Sequence, residues 1–217
     1  MGSYLRPTPH CLIVDFDGVL ARRNTELLLA ESQALISRYR HIDPLVFESL
    51  FASLVAFPLQ IAVSLFLKAL GLEEVENHLL SVLDKVHDGI DDALPMIASC
   101  EERGLPLFVL SSGNPRSGKY DQIRKILGSE NVLVDPTFSK LCPDHYRRIF
   151  KQCKINASTS WYVDDCPAAL DSSKSADIGM TFMMTNKVFR RELAPKPGGT
   201  IDRIIDDWQG LIAELPQ

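Results

Sequence analysis

Residues 11–19 read CLIVDFDGV, an apolar run that stops at two acids and a glycine. A short run of this kind, bounded by polar residues, predicts a buried strand with Asp15 and Asp17 at its carboxyl end. Side chains two apart on a strand share a face, so both carboxylates can lean into one crevice. Like charges held that close are costly unless a cation or a shared proton compensates them. A solvated turn carrying two acids would give the same letters, so the meaning of D-F-D-G depends on its surroundings.

Working outward, four more short apolar runs predict strands: Leu105–Leu110, Asn131–Val134, Trp161–Val163 and Thr181–Met184. Helical patterns fall between or after them, at Asp92–Arg103, Ser117–Leu127, Asp144–Cys153, Pro167–Ala176 and Ile201–Leu215. Gly104 and Gly128 supply stop signals after the first two. Strand and helix in alternation imply right-handed crossovers and a parallel sheet covered on both faces. The exception is Glu26 to about Gly89, which lacks a clear strand and reads as several helices broken near His41–Pro44, Gly71 and His87–Gly89. The expectation is an α/β fold: a Rossmann-like parallel sheet core over residues 1–22 and 90–217, with an inserted all-helical subdomain over 23–89.

Composition narrows the function classes. The 217 residues are 46% hydrophobic and carry a net charge of −5, with 28 Asp+Glu against 23 Lys+Arg. Nothing supplies the basic stripe that a nucleic-acid backbone needs, so no nucleic-acid partner is expected. Cys11, Cys100, Cys142, Cys153 and Cys166 are scattered and form no C-x-x-C pair. That pattern, with no apolar signal core at the start, predicts a reduced, cytoplasmic protein.

Three further signals join the first. Trp161-Tyr162-Val163-Asp164-Asp165 is a second strand ending in adjacent acids, although Asp165 before Pro167 could also serve as a helix N-cap. Four carboxylates, Asp15, Asp17, Asp164 and Asp165, at one edge of a parallel sheet suit a hard divalent ion, Mg²⁺ above all if a phosphate completes the shell. Leu110-Ser111-Ser112-Gly113-Asn114 runs from a strand into hydroxyls and a glycine, which can cradle phosphoryl oxygens or form an ordinary turn. Lys140 stands in a loop shortly before Pro143-Asp144, which open a helix.

In this order the signals resemble the four motifs of the haloacid dehalogenase superfamily: D-F-D-G-V, the strand-ending Ser111 (or Ser112, if the strand is one residue longer), Lys140, and Asp164-Asp165. Lys140 lies 24 residues before Asp164, as the family's run does, although Leu141 stands where the family often has proline. Asp17 to Ser111 is 94 residues and Ser111 to Lys140 only 29, so the resemblance is to members with a helical cap inserted after the first motif. It implies that Asp15 is the nucleophile, Asp17 the acid and base, and Ser111 and Lys140 the phosphoryl ligands. Mg²⁺ would lie on Asp15, the Asp17 carbonyl and Asp164 or Asp165. Family dehalogenases lack an acid at the Asp17 position, so the resemblance favours a phosphatase acting on a small phosphorylated molecule. A phosphomutase and a non-catalytic binding module remain the alternatives. Arg22 and Arg23 follow the first motif and could meet an anionic part of the substrate.

Ser49–Leu67 is uncharged over 19 residues. Three readings are open: a membrane span, a buried cap helix, or the wall of an apolar pocket or homodimer contact. A span is disfavoured, because both ends of the insert must return to the same sheet. Ser49, Ser53, Ala56, Gln60 and Ser64 align as one small and polar stripe only if a single helix runs through Pro58.

Overall fold

Six strands, none longer than five residues, form one parallel sheet in the computed structural model, which describes residues 9–21, 25–53, 59–85, 89–185 and 199–215. They are β1 (Leu12–Asp15), β2 (Leu107–Ser111), β3 (Val132–Val134), β4 (Trp161–Asp164), β5 (Met180–Met184) and β6 (Arg203–Ile205). The order across the sheet is β3-β2-β1-β4-β5-β6, with every neighbouring pair parallel. Strand order reverses at β1, and the register sets Asp15 opposite Leu110 and Val14 opposite Val163. Asp15, Ser111 and Asp164 therefore end three adjacent strands at one edge, the crevice where such sheets bind ligands.

Both faces of the sheet are covered, which is why β1 and β4 read as unbroken apolar runs. Leu12, Val14, Val109 and Val163 face one layer, formed by α5 (Leu94–Glu102), α6 (Asp121–Leu127) and α9 (Trp208–Glu214) through Met96, Ile123 and Leu211. Ile13, Leu110 and Tyr162 face the other, formed by α7 (Pro143–Gln152) and α8 (Pro167–Ser175) through Tyr146, Phe150 and Leu170.

Between β1 and β2 run α1 (Thr25–Ser37), α2 (Pro44–Ser53), α3 (Leu59–Leu70) and α4 (Glu76–Lys85). They enclose a third core built on Leu28, Phe47, Val63, Phe66, Leu67, Leu79 and Leu83, with Phe47 edge-on to Phe66 at 5.3 Å. Asp43 caps α2 by accepting the Leu45 N–H at 2.9 Å, and Gly71 ends α3 with a φ of 66°. Residues 54–58 and 86–88 lie outside the described residues, as do Arg22 and Arg23. The uncharged stretch therefore contributes to two helices, α2 and α3. Val63, Phe66 and Leu67 of α3 are buried in the third core, whereas Gln60, Ile61, Ser64 and Leu65 are exposed. Among the described residues no helix is long and apolar enough to cross a membrane.

One expected element divides. Ile201–Leu215 does not form a single helix: Arg203–Ile205 pairs with β5, and the helix begins only at Trp208. The segment's backbone groups pair with β5, and Asp202 fixes it there by accepting the Thr181 N–H at 2.8 Å while its carboxylate pairs with Lys174 of α8 at 2.7 Å. Asp207 then caps the helix through the Gly210 N–H at 2.9 Å. Ile201, Ile204, Ile205, Trp208, Leu211, Ile212 and Leu215 recur at helical spacing, so local periodicity reads as one helix, and the pairing with β5 overrides it.

The two faces of α3 should respond differently to truncation. Leu67→Ala is expected to cost about 2–5 kcal/mol, because it opens a cavity in the third core. Ile61→Ala on the exposed face should cost less than about 0.5 kcal/mol. Chemical denaturation of both variants checks this, and equal losses would contradict the assigned faces.

Candidate active site

The chain turns sharply as it leaves β1. Gly18 adopts a φ of 86°, and the Leu20 and Ala21 N–H groups return to the carbonyls of Asp15 and Phe16 at 3.2 and 2.8 Å. The two acids of the first motif contact different lysines. Asp15 is buried and faces Lys140, whose Nζ lies 2.8 Å from Asp15 Oδ2 and 3.0 Å from Asp164 Oδ2. Asp17 instead receives Lys119, whose Nζ lies 2.9 Å from each carboxylate oxygen.

Lys140 reaches the centre from the loop between β3 and α7, with Pro143 opening α7 directly behind it. Its neighbour Leu141 is well exposed, so the residue that stands in place of a proline points away from the site. Asp164 is held from several sides: Oδ1 accepts the Cys166 N–H at 2.8 Å, and Oδ2 accepts the Tyr162 hydroxyl. Burial alone would lower the Lys140 pKa, but Asp15, Asp164 and Asp165 outweigh it and hold the lysine well above its ordinary value. Burial pushes the Asp15 carboxyl well above the usual carboxylate range; Lys140 opposes this, while Asp164, Asp165 and Asp17 reinforce it.

Asp15, Asp164 and Asp165 bring one carboxylate oxygen each within 4.8 Å of one another, all buried. Asp15 Oδ2 makes no hydrogen bond; its contact with Lys140 is one of charge without hydrogen-bond direction. A buried carboxylate oxygen left in that state, beside two more acids, fits a hard divalent cation such as Mg²⁺. The Asp17 carboxylate is outside this cluster.

Ser111 is the last residue of β2 and is buried, with its Oγ 2.9 Å from the Tyr120 hydroxyl and accepting the Gly113 N–H at 3.3 Å. Ser112 lies just past the strand and lines a cleft of about 410 Å³. The rest of that cleft comes from Gly113–Arg116 and Pro136 of the core and from Gln60 and Leu80 of the inserted helices. Lys119 and Tyr120 were not expected from the sequence. They sit on a 3-10 turn over Gly118–Tyr120, and S-G-K-Y carries no spacing that links it to D-F-D-G 100 residues earlier. Only the fold lays that turn across the end of β1.

With this geometry in view, residues 9–177 match the family model of the haloacid dehalogenase-like hydrolases, and the chain belongs to that family. A search of curated proteins finds no match. Among solved structures, the fold is similar to the HAD-hydrolase YfnB from Bacillus subtilis bound to magnesium, at TM-score 0.68 and 16% identity, covering 96% of this chain and 99% of that one. It is also similar to CbbY from Rhodobacter sphaeroides in complex with phosphate, at TM-score 0.66 and 16% identity, covering 95% and 99%. A third similar structure is the defluorinating L-2-haloacid dehalogenase Rha0230, at TM-score 0.64 and 12% identity, covering 96% and 98%. The fold thus serves more than one chemistry.

Lys140 is the only described cation facing three buried acids, so removing it should be felt in stability. Lys140→Met is expected to cost about 3–5 kcal/mol in metal-free protein, and adding Asp15→Asn should recover part of that loss. The folded chain holds this proton more tightly than the unfolded chain. The contribution is therefore complete below the ordinary lysine value of 10.5 and is lost only as pH rises beyond it. Denaturation of the single and double variants between pH 6 and about pH 9 checks this; a Lys140→Met variant as stable as the wild-type chain would contradict it.

Proposed function

We propose that the chain is a Mg²⁺-dependent phosphatase that hydrolyses a small-molecule phosphomonoester through an aspartyl-phosphate on Asp15. The observation that carries this reading is the buried group of Asp15, Lys140, Asp164 and Asp165, with Asp17 two residues beyond the nucleophile. An Asp15 oxygen attacks phosphorus, the bond to the leaving oxygen breaks, and Asp17 delivers a proton to the departing alkoxide. Water then attacks the same phosphorus, Asp17 takes its proton, and phosphate leaves with Asp15 restored. Ser111 and Lys140 stabilise the charge on the transferring oxygens, where most of the catalysis of such transfers lies. Asp15, Asp164, Asp165 and the Asp17 carbonyl would hold Mg²⁺, which supplies further charge neutralisation there when bound.

Asp17 separates this reading from a dehalogenase, which has no leaving alkoxide to protonate and no need for an acid at that position. Its contact with Lys119 at 2.9 Å holds that carboxyl group in place beside the first motif. The neighbouring cleft, with Leu80, Pro115 and Pro136 beside Gln60, Asn114 and Arg116, suits a small leaving group of mixed polarity.

Turnover of an aryl phosphate should require Mg²⁺, stop on chelation, and vanish in Asp15→Asn. Ser111→Ala should lower kcat about 10²–10³-fold. Halide release from a 2-haloacid without phosphatase activity would overturn the reading. Isomer formation from a sugar phosphate without phosphate release would replace it with a phosphomutase.

A further inference from the structure

Lys119 and Tyr120 are consecutive residues, yet they reach two different parts of the site. Lys119 grips both oxygens of Asp17, and Tyr120 meets Ser111. Both are deeply buried, the Lys119 side chain at 5% exposure and Tyr120 at 0%. A lysine this deep is rare without an ionic partner. The pair is also held from behind. The Tyr120 ring packs on Phe16 at 4.7 Å between centroids, and the Lys119 ammonium lies 5.0 Å from the Tyr120 ring and 5.7 Å from that of Phe16. The Arg124 guanidinium lies 5.3 Å from the Tyr120 ring, and Ser117 Oγ caps the turn through the Lys119 N–H.

The hydroxyl arithmetic at Ser111 gives this arrangement a consequence. A serine oxygen has one proton to donate and two lone pairs to accept with. The Gly113 N–H takes one lone pair; the Tyr120 hydroxyl lies 2.9 Å away, where either oxygen can donate, and donation from Tyr120 takes the other lone pair. The Ser111 proton then has no role inside the pair and is available to a third group. Gly113 makes the contact sterically feasible, since a Cβ there would lie 2.0 Å from the Tyr120 hydroxyl oxygen.

We propose that Lys119 and Tyr120 are a two-residue brace, Tyr120 committing the Ser111 proton to the transferring phosphoryl group while Lys119 fixes the Asp17 carboxylate beside the leaving group. Both are positioning residues, and the proposal rests on the phosphatase reading above. It accounts for a buried Lys-Tyr dipeptide that the four motifs leave without a role.

The test is a cycle of Tyr120→Phe, Ser111→Ala and their double variant, with kcat and KM on an aryl phosphate and Mg²⁺. Tyr120→Phe keeps the ring on Phe16 and should lower kcat about tenfold. In the Ser111→Ala background the same change should add nothing. Gly113→Ala, which displaces the tyrosine hydroxyl, should behave like Tyr120→Phe. Lys119→Met should lower kcat with KM nearly unchanged, and Lys119→Arg should restore part of it. Equal losses from Tyr120→Phe with and without Ser111, or Lys119→Arg no better than Lys119→Met, would overturn the brace. A readout independent of turnover is the rise in melting temperature caused by inorganic phosphate with Mg²⁺. That rise should be present in the wild-type chain and reduced in Tyr120→Phe. If the wild-type chain binds phosphate but does not turn over the ester, the phosphatase reading fails and the brace is judged on binding alone. If phosphate produces no shift in the wild-type chain, the brace fails as well.

Discussion

A single ammonium group holds the centre of this protein together. Lys140 Nζ sits within 3.2 Å of both Asp15 and Asp164, in surroundings where none of the three has appreciable contact with water. Two carboxylates at the ends of adjacent strands would repel each other across the crevice, and the lysine is what lets both strands end there in acids. The loop that carries it must therefore pass over the sheet edge. That loop is anchored by Tyr146, whose hydroxyl donates to the carbonyls of Lys140 and Ala169 at 3.4 and 3.3 Å. Lys140 offsets only part of the acid charge. Asp165 adds a third carboxylate to the cluster, and Asp15 keeps an oxygen without a hydrogen bond, a donor set that fits a hard cation in addition to the lysine.

Strand order converts this electrostatics into a site. Because β1 lies between β2 and β4, the ends of those three strands supply Asp15, Ser111 and Asp164 to one crevice, from chain positions about 50 to 150 residues apart. The helices inserted after β1 form their own core, so they can cover that edge without disturbing the packing of the sheet. Gln60 and Leu80 meet the Ser112–Arg116 loop across the cleft, which gives the covering helices a direct part in shaping whatever occupies it.

Much of this was legible from residue order. The strands ending in Asp15, Ser111 and Asp164 announce themselves as unbroken apolar runs, because a parallel sheet buried on both faces has no polar face to alternate with. The edge of the sheet was harder to read. Arg203–Ile205 joins the sheet as a strand through its pairing with β5, where Asp202 ties the segment to Thr181. The uncharged stretch was ambiguous for a related reason: hydrophobicity states that residues avoid water without saying what covers them. In α3 the cover is Phe47 and its neighbours in the third core on one face, while Ile61 and Leu65 on the other face stay exposed.

By itself the sequence determined the alternating architecture, the inserted helices and the two acid-ended strands, since each is written in local periodicity, whereas Ser111 and Lys140 stand out only through their resemblance to the family's motifs. Tertiary structure decided the pairing among them. Asp15 and Asp17, two residues apart on the chain, receive different lysines, Lys140 and Lys119. Lys119 and Tyr120 become neighbours of Asp17 and Ser111 through a turn whose sequence carries no mark of it. A charge or a hydroxyl acquires its partner from whatever the folded chain brings within about 3 Å, and that distance is not encoded in any short stretch of residues.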